Sequence, residues 1–201
     1  MRVSKICLLS LTVALVFCLA SAMAGEIKGT VTAQGIRSPE GIIVYVDTIA
    51  GKTFPPPKEH AVMDQKKLTF IPHLLPVVKG TTVDFLNSDS VGHNVYWPSV
   101  GGNKKLGHNL GTWPQGVKKS FTFDEVGAVP LLCNVHPEMS AYILVSPTPY
   151  FAVTNAQGEY AIKDVPPGKY TVKAWSEQGK PAEQSVDLSG AQATANLTVH
   201  K

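Results

Sequence analysis

Cysteine is nearly missing from this chain. Of three cysteines among 201 residues, Cys7 and Cys18 fall in the first 24 positions, so Cys133 stands alone in the remainder. A single cysteine cannot build a disulfide framework. Long apolar runs are missing too: beyond the N-terminus no segment approaches the ~20 apolar residues that a membrane-spanning helix needs. No window sustains a 3.6-residue apolar period, which argues against a helical architecture. A strong charge of either sign is also absent. Arg2 and Lys5 are two of the 18 basic residues, and without them 16 stand against 15 acidic ones, a formal charge of +1. That balance gives no support for nucleic-acid binding.

The N-terminus is the one apolar stretch of length. In "MRVSKICLLSLTVALVFCLASAMAGEI", Arg2 and Lys5 precede an apolar core from Ile6 to about Ala20, followed by Ala22-Met23-Ala24. This charged, apolar, small-x-small order is that of a signal peptide over residues 1–24, with cleavage after Ala24. Lipid attachment at Cys18 is disfavoured by the bulky Phe17 before it. The expectation is an exported protein, in the periplasm or otherwise extracellular, running from Gly25 to Lys201. In an oxidising compartment an unpaired Cys133 points to a partner chain, a reactive thiol or a metal ligand.

From Gly25 onward glycine, proline and β-branched residues dominate, and the chain reads as all-β. Expected strands are 26–33, 41–48, 81–87, 119–124, 128–133, 141–146, 160–165, 169–175 and 193–199. In two of them Val83/Phe85 and Phe121/Phe123 alternate with polar neighbours, as a half-buried strand requires. "TFPPPKEH" at 53–60 cannot be a central strand, because three consecutive prolines donate no ladder hydrogen bonds. "SPTPY" at 146–150 has the same character. From His60, the last residue of the first boundary, to the second lie five of the six histidines and Cys133.

The segment after the second boundary, "FAVTNAQGEYAIKDVPPGKYTVKAW", resembles the carboxypeptidase regulatory-like β-sandwich. The opening strands of that family resemble "KGTVTAQG" and "EGIIVYV" near the N-terminus. The resemblance implies a sandwich built from residues 25–52 and 150–201, with residues 60–146 inserted as a domain of their own. The alternative is a simple row of domains, with 25–52 packing on the middle one.

The middle segment holds "LLCNVHPEM" at 131–139, with Cys133, His136 and Met139 three residues apart. On a strand their side chains would alternate between faces. Pro137 disfavours helical geometry at His136, so a tight loop between two strands is expected, able to wrap all three around one point. Thiolate, imidazole and thioether form a soft donor set that suits copper better than calcium or magnesium. One further imidazole would complete a type 1 copper site, and "VDFLNSDSVGHNVYW" offers His93 after a strand and a short turn. Structural zinc wants four closed Cys/His ligands, and methionine serves it poorly. A binuclear copper centre would need a second cysteine in the loop, and a cysteine nucleophile would need an orienting partner that is not evident beyond Asn134 and Glu138.

"FLNSD…GHNV" followed some forty residues later by "CNVHPEM" resembles the cupredoxins, the type 1 blue copper proteins, and among them amicyanin and plastocyanin; the contracted final loop is more similar to amicyanin. The likeness spans roughly residues 62–146. It implies a Greek-key β-sandwich holding one type 1 copper, with His93, Cys133 and His136 equatorial and Met139 axial. It further implies that Asn94 hydrogen-bonds between the two ligand-bearing segments, and that His136 gives the electron its exit near Pro137 and Pro98. "GHN" recurs at 107–109, but only one expected strand separates His108 from Cys133, and the surrounding glycines and lysines suggest a flexible surface loop. His108 is therefore expected at the surface or at a secondary copper, and His73, within "FIPHLLP", in the core or semi-buried, or else in an accessory role beside the copper. His60 and His200 are expected solvated, and Trp97, Trp113 and Trp175 to pack. Lys104/Lys105 and Lys118/Lys119 are solvated faces or a docking patch for an acidic redox partner.

With every coordination position filled by protein, this site argues for an electron carrier and against an enzyme. The carrier would exchange electrons with partner proteins of cytochrome or dehydrogenase type. Two other readings stay open: a copper-handling protein that delivers or stores the ion, and a non-catalytic binding module whose copper site is vestigial.

Overall fold

The computed structural model describes residues 24–201, so the signal-peptide expectation lies outside the described residues save for Ala24. Strand accounts for 54% of the described residues, and no α-helix occurs among them. In chain order the strands are β1 (Gly25–Gln34), β2 (Ile43–Val46), β3 (Ala61–Gln65), β4 (Phe70–Ile71), β5 (Leu74–Val78), β6 (Thr81–Leu86), β7 (His93–Trp97), β8 (His108–Trp113) and β9 (Lys118–Phe123). They continue as β10 (Gly127–Leu132), β11 (Ser140–Ser146), β12 (Phe151–Val153), β13 (Glu159–Val165), β14 (Gly168–Trp175), β15 (Ala182–Leu188), β16 (Gln192–Thr194) and β17 (Leu197–His200). No helix among the described residues is long and apolar enough to cross a membrane.

The strands form two sandwiches. In the middle one, the sheet β5-β11-β10-β7-β8 faces the sheet β4-β3-β6-β9. Val83 and Phe85 of β6 and Phe123 of β9 point inward to meet Trp97, Val129, Leu131 and Ile143 from the opposite sheet. Trp97 anchors this core: it is 1% exposed, its ring lies against Phe85, Phe121 and Phe123, and its Nε1–H donates to the Leu106 carbonyl at 3.1 Å. In the outer sandwich β1 runs between β13 and β16, with β17 pairing further along it, and the facing sheet is β12-β2-β14-β15. Ile27, Val31, Val44, Ile162, Val172 and Leu197 fill the second core.

The expected strand at 193–199 is broken in two. Ala195 donates its N–H to the Lys28 carbonyl, its own carbonyl accepts the Tyr160 hydroxyl at 2.6 Å, and Asn196 Oδ1 accepts Thr30 N–H at 3.0 Å. These bonds, one main-chain and two from side chains, replace the regular ladder between β16 and β17. The short or weakly patterned strands β3, β4, β5, β8, β12 and β15 carried too little apolar alternation to be read from the sequence.

One polar network in the middle sandwich is built around a buried carboxylate with exposed partners. Asp84 of β6 is 8% exposed, and its carboxylate receives Lys118 Nζ at 2.7 Å, Ser120 Oγ at 2.6 Å and the His60 ring at 2.9 Å. His60 is therefore paired and not simply solvated. The Lys118 bond, then those of Ser120 and His60, hold the Asp84 carboxyl far below its ordinary value against the opposing effect of burial. A depressed folded value means that Asp84 contributes stability above the usual carboxylate range of about 4, lost as pH falls toward the lower folded value. Acid titration of the metal-free chain should thus show stability falling from about pH 4 downward. Asp84→Asn should flatten that fall and lower stability at neutral pH.

Candidate metal centre

β10 ends at Leu132, β11 starts at Ser140, and residues 133–139 form an irregular loop, as Pro137 requires. Met139 N–H donates to the His136 carbonyl at 3.0 Å, which closes the loop on itself. Across it β7 begins at His93, wholly buried. His93 Nδ1 lies 3.0 Å from His136 Nδ1, the rings meeting edge to face, and Cys133 Sγ lies 4.0 Å from His136 Nδ1. One donor atom from each of His93, Cys133 and His136 falls within 4.8 Å of the others. Met139 is 1% exposed and packs in the same core cluster as Cys133. Cys133 is a free, buried cysteine.

The tautomer of His93 follows from its partners. Its Nε2 lies 2.9 Å from Asp89 Oδ2, and a carboxylate can only accept, so Nε2 carries the proton and a neutral ring turns the Nδ1 lone pair toward His136. Asp89 is itself held by the backbone. The N–H groups of Lys67 and Leu68 donate to its two oxygens at 2.6 and 2.9 Å. Both residues adopt left-handed backbone, φ 55° and 56°, costing roughly 1–3 kcal/mol each. That strained turn aims both amides at one carboxylate. The Leu68 amide above all, then the Lys67 amide and the His93 ring, hold the Asp89 carboxyl below its ordinary value, with burial opposing. Buried Asn87 fixes the turn that carries Asp89, donating to the Val91 and Trp113 carbonyls and accepting from Asp89 N–H.

Asn94 ties three segments together. Its backbone N–H points at Cys133 Sγ at 3.5 Å, its Oδ1 accepts Asn134 N–H at 3.3 Å, and its Nδ2 donates to Asn109 Oδ1 at 2.9 Å. β7, the 133–139 loop and β8 are locked by one side chain. Asn94→Ala removes the last two bonds, although Asn109 Oδ1 keeps the Gly111 N–H at 2.7 Å. The metal-free chain should lose about 1–3 kcal/mol in urea unfolding, while the main-chain bond to sulfur survives.

Three sequence expectations are corrected. His73 is not in the core: it is exposed, with ring nitrogens 3.2 Å from the Ser140 carbonyl and 2.9 Å from Glu177 Oε2. His108 is not in a flexible loop: it opens β8 opposite Trp97, its ring packed on Trp97 and Phe121, apart from the His93, Cys133 and His136 donors. Lys118 and Lys119 are not a free basic patch, since the first is bound to Asp84 and the second to the Leu110 carbonyl and the Trp113 ring. Asp89 and Asn109 went unread at the sequence level. Their roles depend on amides brought in from β3–β4 and on the β7–β8 pairing.

The donors fit copper. Two ligands about 2 Å from one ion stand roughly 3–4 Å apart, close to the separations of 3.0 and 4.0 Å found here. Two imidazoles and one thiolate, buried together, form the equatorial set of a type 1 site.

Two family models match the chain. Residues 58–146 match the family model of copper binding proteins of the plastocyanin/azurin family, and residues 138–200 match that of the carboxypeptidase regulatory-like domain. No curated protein matches the chain. Similar solved structures include a reduced Cu(I) form of an amicyanin mutant at pH 4, at 23% identity, covering 51% of this chain and 98% of that one with a TM-score of 0.41. A Cu(I) form of a second amicyanin mutant matches at 24% over 43% of this chain and 82% of that one, TM-score 0.40. An oxidized third mutant matches at 20% over 53% and 100%, TM-score 0.41. With one family model over residues 58–146, another over 138–200 and a His-Cys-His cluster inside the first segment, the chain combines a segment of the plastocyanin/azurin copper-binding type with one of the carboxypeptidase regulatory-like type.

Proposed function

We propose that this protein is an exported electron carrier that holds one type 1 copper per chain between His93, Cys133, His136 and Met139. The observation that carries the reading is the convergence of His93 Nδ1, His136 Nδ1 and Cys133 Sγ in one buried place. Copper bound there would supply one-electron exchange between Cu(I) and Cu(II). The chain's own groups do the rest. Asp89 holds the His93 ring with its Nδ1 lone pair free, and Asn94 keeps the loop and β7 at a fixed separation, so the donors need little movement when charge changes. Met139 would close the remaining side, leaving no position for a substrate, in contrast to catalytic sites that keep one open.

His136 is the half-buried ligand, while Pro137 and Pro98 are exposed and Val135 is 48% exposed. Val135 and Pro137, exposed on either side of His136 in the chain, support the exit expected from the resemblance, with redox proteins of cytochrome or dehydrogenase type as partners. The proposed domain limits are a signal peptide over 1–24, the copper domain over 60–146, and a regulatory-like sandwich made of 25–52 and 150–201. The pairing of β1 with β13, β16 and β17, and of β2 with β12 and β14, supports the last of these. Export to the periplasm or beyond follows from the leader.

Redox cycling tests carriage against delivery. Copper-loaded protein, reduced with ascorbate and reoxidised with ferricyanide beside a Cu(I) chelator, should pass one electron per chain over repeated cycles without losing metal. Quantitative transfer of copper to the chelator on reduction would instead identify a delivery protein.

A further inference from the structure

Between the two sandwiches lies a cleft of about 230 Å³ lined by Arg37, Glu40, His73 and Glu177 among others. His73, between β4 and β5, reaches across it. Its Nε2 meets Glu177 Oε2 at 2.9 Å, and Glu177 lies just beyond β14 of the outer sandwich. Its Nδ1 meets the Ser140 carbonyl at 3.2 Å, and Ser140 directly follows Met139. Carbonyl and carboxylate oxygens can only accept, so each contact requires a proton on the ring nitrogen that makes it. The main chain supports the bridge: Tyr142 N–H donates to the His73 carbonyl at 2.9 Å, and β5 runs parallel to β11 with Leu74 beside Tyr142. Tyr142 also packs its ring on Trp175 of β14, with centroids 5.2 Å apart.

We infer that His73 and Glu177 are positioning residues through which the regulatory-like sandwich holds the exit of the ligand loop: Glu177 orients the His73 ring, and the ring pins the Ser140 carbonyl next to Met139. The inference rests on the reading of 133–139 as the ligand loop. It gives the outer sandwich a task at the metal centre, although no residue of that sandwich lies among the donors. Glu177 acts only through His73, because its carboxylate meets the ring and not the loop. The bridge is partly exposed, at 48% and 28% of the two side chains, so substitutions there leave both cores intact.

Amide hydrogen exchange on the full metal-free chain tests this without copper. Glu177→Ala should speed exchange at 138–142 about tenfold, the effect of losing roughly one net hydrogen bond. His73→Ala should do at least as much, and the double variant no more than His73→Ala alone. His73→Asn places an N–H near the Nδ1 position. It should retain part of the loop's protection and make that protection insensitive to Glu177→Ala. With Cu(II) bound, the thiolate band should shift in the same direction in Glu177→Ala and His73→Ala. Unchanged loop exchange in Glu177→Ala, or an effect that adds to that of His73→Ala, overturns the inference. Failure of the unaltered chain to form a thiolate band contradicts the copper reading instead, and the exchange results still decide whether the bridge exists.

Discussion

Cys133→Ser is expected to abolish the visible thiolate-to-copper band entirely and to weaken Cu(I) binding by on the order of 100-fold or more, since losing even an outer partner of a ligand costs roughly 10- to 100-fold. The thiolate is the one soft anionic donor in the set, and a serine hydroxyl replaces it with a hard oxygen that keeps its proton. The metal-free protein should suffer far less. Cys133 is 3% exposed, yet the Asn94 N–H that faces its sulfur can donate to a hydroxyl in the same place. A change of no more than about 1–3 kcal/mol in unfolding free energy is the expected cost. The spectrum and the stability should therefore separate. If Cys133→Ser unfolds the metal-free chain, the thiol is needed for packing and the spectroscopic loss says nothing about ligation.

Gly29→Val should act on the other sandwich and leave the copper centre alone. A Cβ at position 29 would lie 1.9 Å from the Ala195 carbonyl oxygen and 2.7 Å from its carbon, and backbone cannot rotate away as a side chain can. That same oxygen holds the Tyr160 hydroxyl, so pushing it aside also breaks a buried hydrogen bond. β1 would separate from β16, and the loss should be about 3 kcal/mol or more, at the upper end for overpacking with a lost bond added. Two-stage unfolding is the expected readout, with the outer sandwich melting first and the thiolate band persisting until the middle one unfolds. Gly190→Ala is the control, because nothing lies within 4 Å of a Cβ at that position. Equal stability of both variants would mean that β1 is not held against β16 as described.

The candidate metal donors stood out in the sequence because their chemistry is rare and their order distinctive: Cys133, His136 and Met139 in one loop, with an imidazole ahead of it. The choice of His93 over His108 rested on the strands that must intervene, and the structure brings His93 and not His108 to the other donors. The reason given for His108 was nevertheless incomplete. Gly107, Gly111 and the neighbouring lysines hid β8, which exists because β7 offers a pairing edge and because the exposed His108 ring packs on Trp97 and Phe121. His73 misled through its apolar neighbours. Phe70 is buried, but Ile71 is 47% exposed, and the chain turns His73 outward toward the second sandwich. Asp89 could not be read at all. Its importance comes from two left-handed residues, Lys67 and Leu68, more than twenty positions away, whose amides converge on it only in the folded chain.

Titration of Cu(II) into the unaltered, metal-free protein, followed by visible absorption and electron paramagnetic resonance, tests the central claim most directly. The account predicts an intense thiolate-to-copper band that saturates at one copper per chain, bleaches with ascorbate and returns on reoxidation. A protein that stays colourless, or a band that saturates at a different stoichiometry or fails to return, would contradict it.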